Sequence, residues 1–119
     1  MAYSARVLQD SISPSGVRLT TFEVTFPRIV LAEFNTHRVF SRNSASSRAI
    51  PVEKRIAAVE ADPFIPESFG KNQKGMQAEE ALSDSESELA RRVWLDAAEE
   101  AVAHARTLAK IGVHKQLAN

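Results

Sequence analysis

The segment that most limits how this chain can fold runs from Ser83 to Gly112. Ser83-Asp84-Ser85-Glu86 spells a capping box, in which the serine oxygen takes the N–H of the residue three positions on and that residue's carboxylate reaches back. Leu89, Val93, Trp94, Ala97, Ala101, Ala105 and Leu108 mark an apolar side that continues to Ile111, and Gly112 is the natural terminator. The spacing predicts a helix of about seven or eight turns at 3.6 residues per turn. One rod thus takes about a quarter of the 119 residues.

The opposite end of the chain has a different period. Ala5 to Ile12 and Val17 to Phe26 are rich in Val, Ile, Thr and Phe, and Ser13-Pro14-Ser15-Gly16 lies between them. Proline presets the second position of a turn and glycine suits the last, so a β-hairpin is predicted. Pro27 stops the second strand because it has no N–H for a ladder, yet it can open a helix. A helix is predicted from about Pro27 to Val39, with Val30, Phe34 and His37 on one face, Ile29 and Leu31 widening it, and Glu33 one turn before His37. Pro51 to Ala61 gives a further helix, with Val52, Ile56 and Val59 at apolar spacing and Pro63 beyond its end. Residues 63–77, PFIPESFGKNQKGMQ, have no period and are expected to be loop. The fold class that follows is α+β, an N-terminal hairpin followed by helices with one long C-terminal helix, in a single domain over 1–119.

Such a chain has little interior. With 44% apolar residues but few aromatics, its core is expected to be thin and partners are expected to cover part of it. Fifteen basic residues balance fifteen acidic ones, so no global positive field draws in nucleic acid, and any basic site must be local. There is no cysteine, which excludes disulfides, thiolate metal sites and a cysteine nucleophile, and favours a reducing, cytoplasmic setting. No apolar run nears the roughly 18 residues of a membrane span, and the N-terminus lacks a signal-peptide layout.

The local basic site is residues 36–48, THRVFSRNSASSR, which begin on the last turn of the helix predicted over 27–39 and run into a polar loop. Arginine pairs with phosphate through a planar fork, and serine hydroxyls complete such a cradle. Arg38, Arg42 and Arg48, interleaved with Ser41, Asn43, Ser44, Ser46 and Ser47, therefore allow an anion-binding reading. A solvated loop after a helix has the same composition, and His37 on an interior-leaning face could equally be a core histidine. His37, His104 and His114 are not at ligand spacing, so no metal site is expected. A G-x-S-x-G nucleophile turn, a Walker-type loop and G-x-G-x-x-G are all missing.

The same stretch resembles the signature of the flavin-dependent thymidylate synthases. That pattern runs Arg-His-Arg, two residues, Ser, one residue, Asn-Glu, one residue, Ser, one residue, Arg-Tyr, and His37, Arg38, Ser41, Asn43, Ser46 and Arg48 fall on matching positions. The likeness covers roughly Val17 to Arg48 and continues more loosely to GVHKQLAN at residues 112–119, while GKNQKGMQ is similar to shorter, phage-type members. The resemblance implies FAD, reduced by NADPH, mediating methylene transfer from methylenetetrahydrofolate to C5 of dUMP to yield dTMP, with no cysteine nucleophile. It implies that His37, Arg38 and Asn43 hold the flavin. Ser46 and Arg48 would hold the dUMP phosphate as the substrate-binding and catalytic pair, with Glu33 and Ser44 also beside the nucleotide. It further implies a homotetramer whose sites form between subunits.

Thr36 stands where the signature has its first arginine, Ser44 where it has glutamate and Ala49 where it has tyrosine. The family's fold continues well past this length, so the chain is expected to be an N-terminal portion that lacks part of the site. Two other classes of function remain open. One is a non-catalytic nucleotide- or nucleic-acid-binding module, although neutral charge and a single Tyr and Trp argue against a nucleic-acid groove. The other is an interaction fragment that pairs through the Leu89–Leu108 side of the long helix.

Overall fold

A computed structural model of the protein describes residues 2–119. It is α+β, with a two-stranded antiparallel hairpin at the N-terminal end and a long helix near the C-terminal end. The chain divides into two compact units, residues 1–43 and 44–119.

In the first unit, strand β1 (Ser4–Ile12) pairs with β2 (Arg18–Thr25) around the predicted turn. Gly16 N–H donates to the Ser13 carbonyl at 2.9 Å and Val17 N–H to Ser13 Oγ at 3.1 Å, while Gly16 takes a φ of 84° that a side chain resists. Leu8 drops out of the pairing as a bulge. The bulge has a chemical consequence, because it sets Asp10 opposite Thr20 rather than Leu19. Arg18 Nε then reaches Asp10 Oδ1 at 2.9 Å, and Thr20 Oγ1 donates to the same oxygen at 2.8 Å. Arg18 first and Thr20 second hold the Asp10 carboxyl below its ordinary value of 3.8. Arg6 does the same for Glu23 across the ladder, at 2.7 Å.

The helix expected over 27–39 is much shorter. A 3-10 turn (Arg28–Val30) leads into α1 (Leu31–Phe34), and the helix ends there. Thr36 Oγ1 donates to the Glu33 carbonyl at 2.7 Å, a side-chain bond that competes with helix continuation. Phe34 is also the middle of an aromatic row, 4.8 Å from Phe26 and 5.2 Å from Phe40 between ring centroids. A continuing helix would set residue 40 about 120° around the axis from residue 34 at about 100° per residue, so the ring contact of Phe40 with Phe34 requires the break.

The second unit is built from α2 (Val52–Ala61), α3 (Asp84–Lys110) and α4 (Lys115–Ala118). Both halves of the Ser83–Glu86 capping box form. At the other end of α3, Gly112 at a φ of 86° lets its N–H reach the Ala109 carbonyl (3.1 Å) and the Val113 N–H reach the Leu108 carbonyl (3.0 Å), a Schellman closure. The chain then turns into α4, which lies outside the elements predicted from the sequence. Within the 63–77 loop, Trp94 Nε1 donates to the Phe64 carbonyl at 2.8 Å and the two rings meet edge to face. An isolated bridge joins Gly70 and Ala81; a Cβ on Gly70 would lie 2.3 Å from that of Ala78.

The apolar side expected of α3 is only partly the packed one. Leu89 and Val93 are exposed, and the inward positions are Trp94, Leu95, Ala98, Val102 and Ala105. The helix carries two adjoining apolar stripes, and the one that meets α2 is the one buried. Among the described residues only Ile56, Val102 and Ala118 are buried, one from each of α2, α3 and α4.

No Cβ contact would oppose alanine at Gly112, so Gly112→Ala should cost only the left-handed backbone, about 1–2 kcal/mol, read by urea denaturation. The lowered Asp10 carboxyl contributes stability in full above its unfolded value of 3.8, and that contribution disappears as pH falls through the lower folded value. Amide exchange across the hairpin should therefore accelerate in acid through a step that Asp10→Asn removes.

Candidate functional site

The polar stretch 36–48 crosses from one unit to the other at Asn43–Ser44. His37, Arg38, Ser41 and Asn43 belong to the first unit, and Ser44, Ser46 and Arg48 to the second.

In the first unit the three basic side chains of this stretch behave differently. Arg42 is consumed by its own loop: Nε donates to Asn35 Oδ1 at 3.0 Å, Nη1 to the His37 carbonyl at 2.7 Å and Nη2 to the Asn35 carbonyl at 2.7 Å. These carbonyls lie just past the end of α1, where a helix leaves its acceptors without partners. Arg42 therefore caps the end of α1, and its fork is not offered to a ligand. His37 lies outside the helix, exposed, with its ring stacked parallel to Phe40 at 6.4 Å. The core-histidine reading thereby falls, because that reading needed the helix to reach His37. Arg38 is exposed and forms no ion pair among the described residues. Asn43 is exposed, and Glu33 sits on α1 with its carbonyl serving Thr36.

In the second unit Ser46 and Arg48 share one tight turn. Ala49 N–H donates to the Ser46 carbonyl at 3.0 Å, and Arg48 N–H donates to Ser46 Oγ at 3.3 Å. Because Ser46 Oγ accepts there, its own proton is free to donate outward. The Arg48 guanidinium is exposed and makes no ion pair among the described residues. One turn thus presents a hydroxyl donor and an uncommitted cationic fork, the donor set an oxyanion asks for. Ser44 is exposed in the segment leading in.

The backbone of that turn is held from far along the chain. Asn119 Nδ2 donates to the Ser47 carbonyl at 2.7 Å and to the Ile50 carbonyl at 2.8 Å. No local sequence signal could have exposed this tie, which spans about seventy positions. The N-cap of α4 is His114, whose Nδ1 accepts from Gln116 N–H at 3.2 Å.

Two other features of the second unit carry less chemistry. A groove of about 370 Å³ lies between α2 and α3, walled by Val59, Pro63, Leu95 and Val102, with the Glu60–Arg106 ion pair at 2.6 Å on its rim. None of the candidate site residues read from the sequence lines it. Among the described residues no group of three His, Cys, Asp or Glu side chains gathers as a cation site, and no helix is long and apolar enough to cross a membrane. No family model, curated protein or solved structure matches the chain.

If Arg42 is a cap, charge alone cannot replace it. Arg42→Lys should make the segment after α1 more open to chymotrypsin at Phe40, whereas Arg48→Lys should leave that cleavage rate unchanged.

Proposed function

We propose that the protein is a flavin-dependent thymidylate synthase-like chain that binds FAD and dUMP and serves reductive methylation of dUMP to dTMP. The observation that carries this reading is the match of His37, Arg38, Ser41, Asn43, Ser46 and Arg48, at fixed spacing, to that family's signature. The state of the side chains supports it. Positions that match the signature, Arg38 and Arg48, have guanidinium groups with no ion-pair partner among the described residues, while Arg42, at a position the signature leaves open, is spent on the Asn35 side chain and on backbone carbonyls.

On this reading Arg48 pairs with the dUMP phosphate through its fork, and the Ser46 hydroxyl donates to the same group. The exposed His37 ring and the Arg38 guanidinium suit the ring system and the pyrophosphate of a dinucleotide, and Asn43 adds an amide. Glu33 and Ser44 take the nucleotide side. Bound FAD, reduced by NADPH, would supply the electrons for transfer of the one-carbon unit from methylenetetrahydrofolate. Without cysteine, the chain has no thiolate to attack the pyrimidine ring, in keeping with the flavin route.

A homo-oligomer, a tetramer by the resemblance, completes the proposal. Val7, Phe22 and Val24 are exposed on the hairpin, and a two-stranded ribbon is marginal in water without further packing. The setting proposed is the cytoplasm, with no role for membrane or nucleic acid. Thr36 and Ser44, in place of an arginine and a glutamate of the signature, favour one second reading, a non-catalytic nucleotide-binding module.

Titrating the protein with FAD, followed by flavin fluorescence, with and without dUMP separates these readings. Saturable FAD binding that dUMP alters is the expected result. Binding of dUMP without FAD would favour the module, and binding of neither would overturn both. Arg48→Ala should weaken dUMP binding by about 1.5–3 kcal/mol, the scale of hydrogen bonds to charged groups; unchanged affinity would remove Arg48 from the phosphate site.

A further inference from the structure

We infer that Asn119 is a positioning residue for the nucleotide phosphate, acting through Arg48; the inference rests on the dUMP-binding reading above and adds to it a residue that the signature does not contain.

A side-chain amide has two N–H donors, and both hydrogens of Asn119 are spent on one five-residue turn, on the Ser47 carbonyl (2.7 Å) and the Ile50 carbonyl (2.8 Å). The Ser47 carbonyl belongs to the peptide unit whose N–H is that of Arg48, and this N–H is in turn held by Ser46 Oγ. The peptide plane that enters Arg48 is therefore fixed from both sides. The Ile50 carbonyl fixes the exit, just before Pro51 and the start of α2.

Without these bonds the turn keeps one backbone hydrogen bond, Ala49 N–H to the Ser46 carbonyl. The Arg48 guanidinium stands at the end of a long flexible side chain with no carboxylate among the described residues to orient it, so its aim depends on its backbone. Small misplacements of a binding group have large consequences for the interaction it makes. Asn119 is exposed but follows directly on Ala118, which is 6% exposed, so its own position is anchored by packing of the short helix before it.

Replacing Asn119 by aspartate keeps the shape, removes both donors and turns a carboxylate toward two carbonyl oxygens. The test is calorimetric titration with dUMP of the wild type, Asn119→Asp, Arg48→Ala and the double variant, with FAD titrated in parallel and Asn119→Ala as a second form free of added charge. The inference predicts about a tenfold loss of dUMP affinity in either Asn119 variant, a coupling of the size found between interacting residues. It also predicts no further loss in the Arg48→Ala background, and unchanged FAD affinity. An equal loss in both backgrounds would mean that Asn119 does not act through Arg48 and would overturn the inference. Unchanged dUMP affinity in the Asn119 variants, with Arg48→Ala still weakened, would overturn it while leaving the functional proposal standing. If the wild type bound no dUMP, the functional proposal would fail and this role with it.

Discussion

Much in the second unit depends on the burial of one methyl group. Among the described residues Ala118 is one of three that are buried, with Ile56 and Val102, and it lies on a helix of four residues that could not persist alone. What keeps α4 in place is packing against α3, and what aims α4 back is the Schellman turn at Gly112. Asn119 follows one residue later and reaches the carbonyls of the turn that carries Ser46 and Arg48. A capped helix, a left-handed glycine, a buried alanine and an amide thus form one chain of cause, ending at the backbone of the turn that carries Arg48.

The first unit is held together by other means. Its hairpin buries almost nothing, and cross-strand polar groups, Arg6 with Glu23 and both Arg18 and Thr20 with Asp10, fix the register instead. Exposed pairs of this kind contribute little to stability. The free edges of two strands and the exposed Val7, Phe22 and Val24 therefore describe a ribbon that gains most by packing against something else. Beyond the hairpin, the Phe26, Phe34 and Phe40 row and the Arg42 cap shape the segment that bears His37 and Arg38.

Much of this was legible in the sequence where the signals were local. The hairpin follows from Ser13-Pro14-Ser15-Gly16 between β-rich runs, α2 from Pro51 and its apolar spacing, and α3 from its capping box and Gly112. The helix over 27–39 was overextended because Val30, Phe34 and His37 happen to fall at helical spacing, whereas Phe34 is committed to Phe26 and Phe40. The buried stripe of α3 could not be read from one helix, since two stripes compete and α2 selects between them. As for the site, composition could not tell a cap from a ligand: Arg42 and Arg48 look alike until the carbonyls around Arg42 are seen. The Asn119 clamp had no signal at all, because a side chain that binds backbone carbonyls so far back in the chain leaves no pattern.

The central claim is that the turn carrying Ser46 and Arg48 receives the phosphate of a nucleotide. Mapping backbone amide shifts by nitrogen-15 nuclear magnetic resonance, with dUMP and with deoxyuridine at matched concentrations, tests it most directly. The account predicts that dUMP moves the amides of Ser46, Ser47 and Arg48 in a saturable way and that deoxyuridine, which has no phosphate, does not. Equal shifts with both ligands, or shifts confined to residues outside this turn, would contradict it.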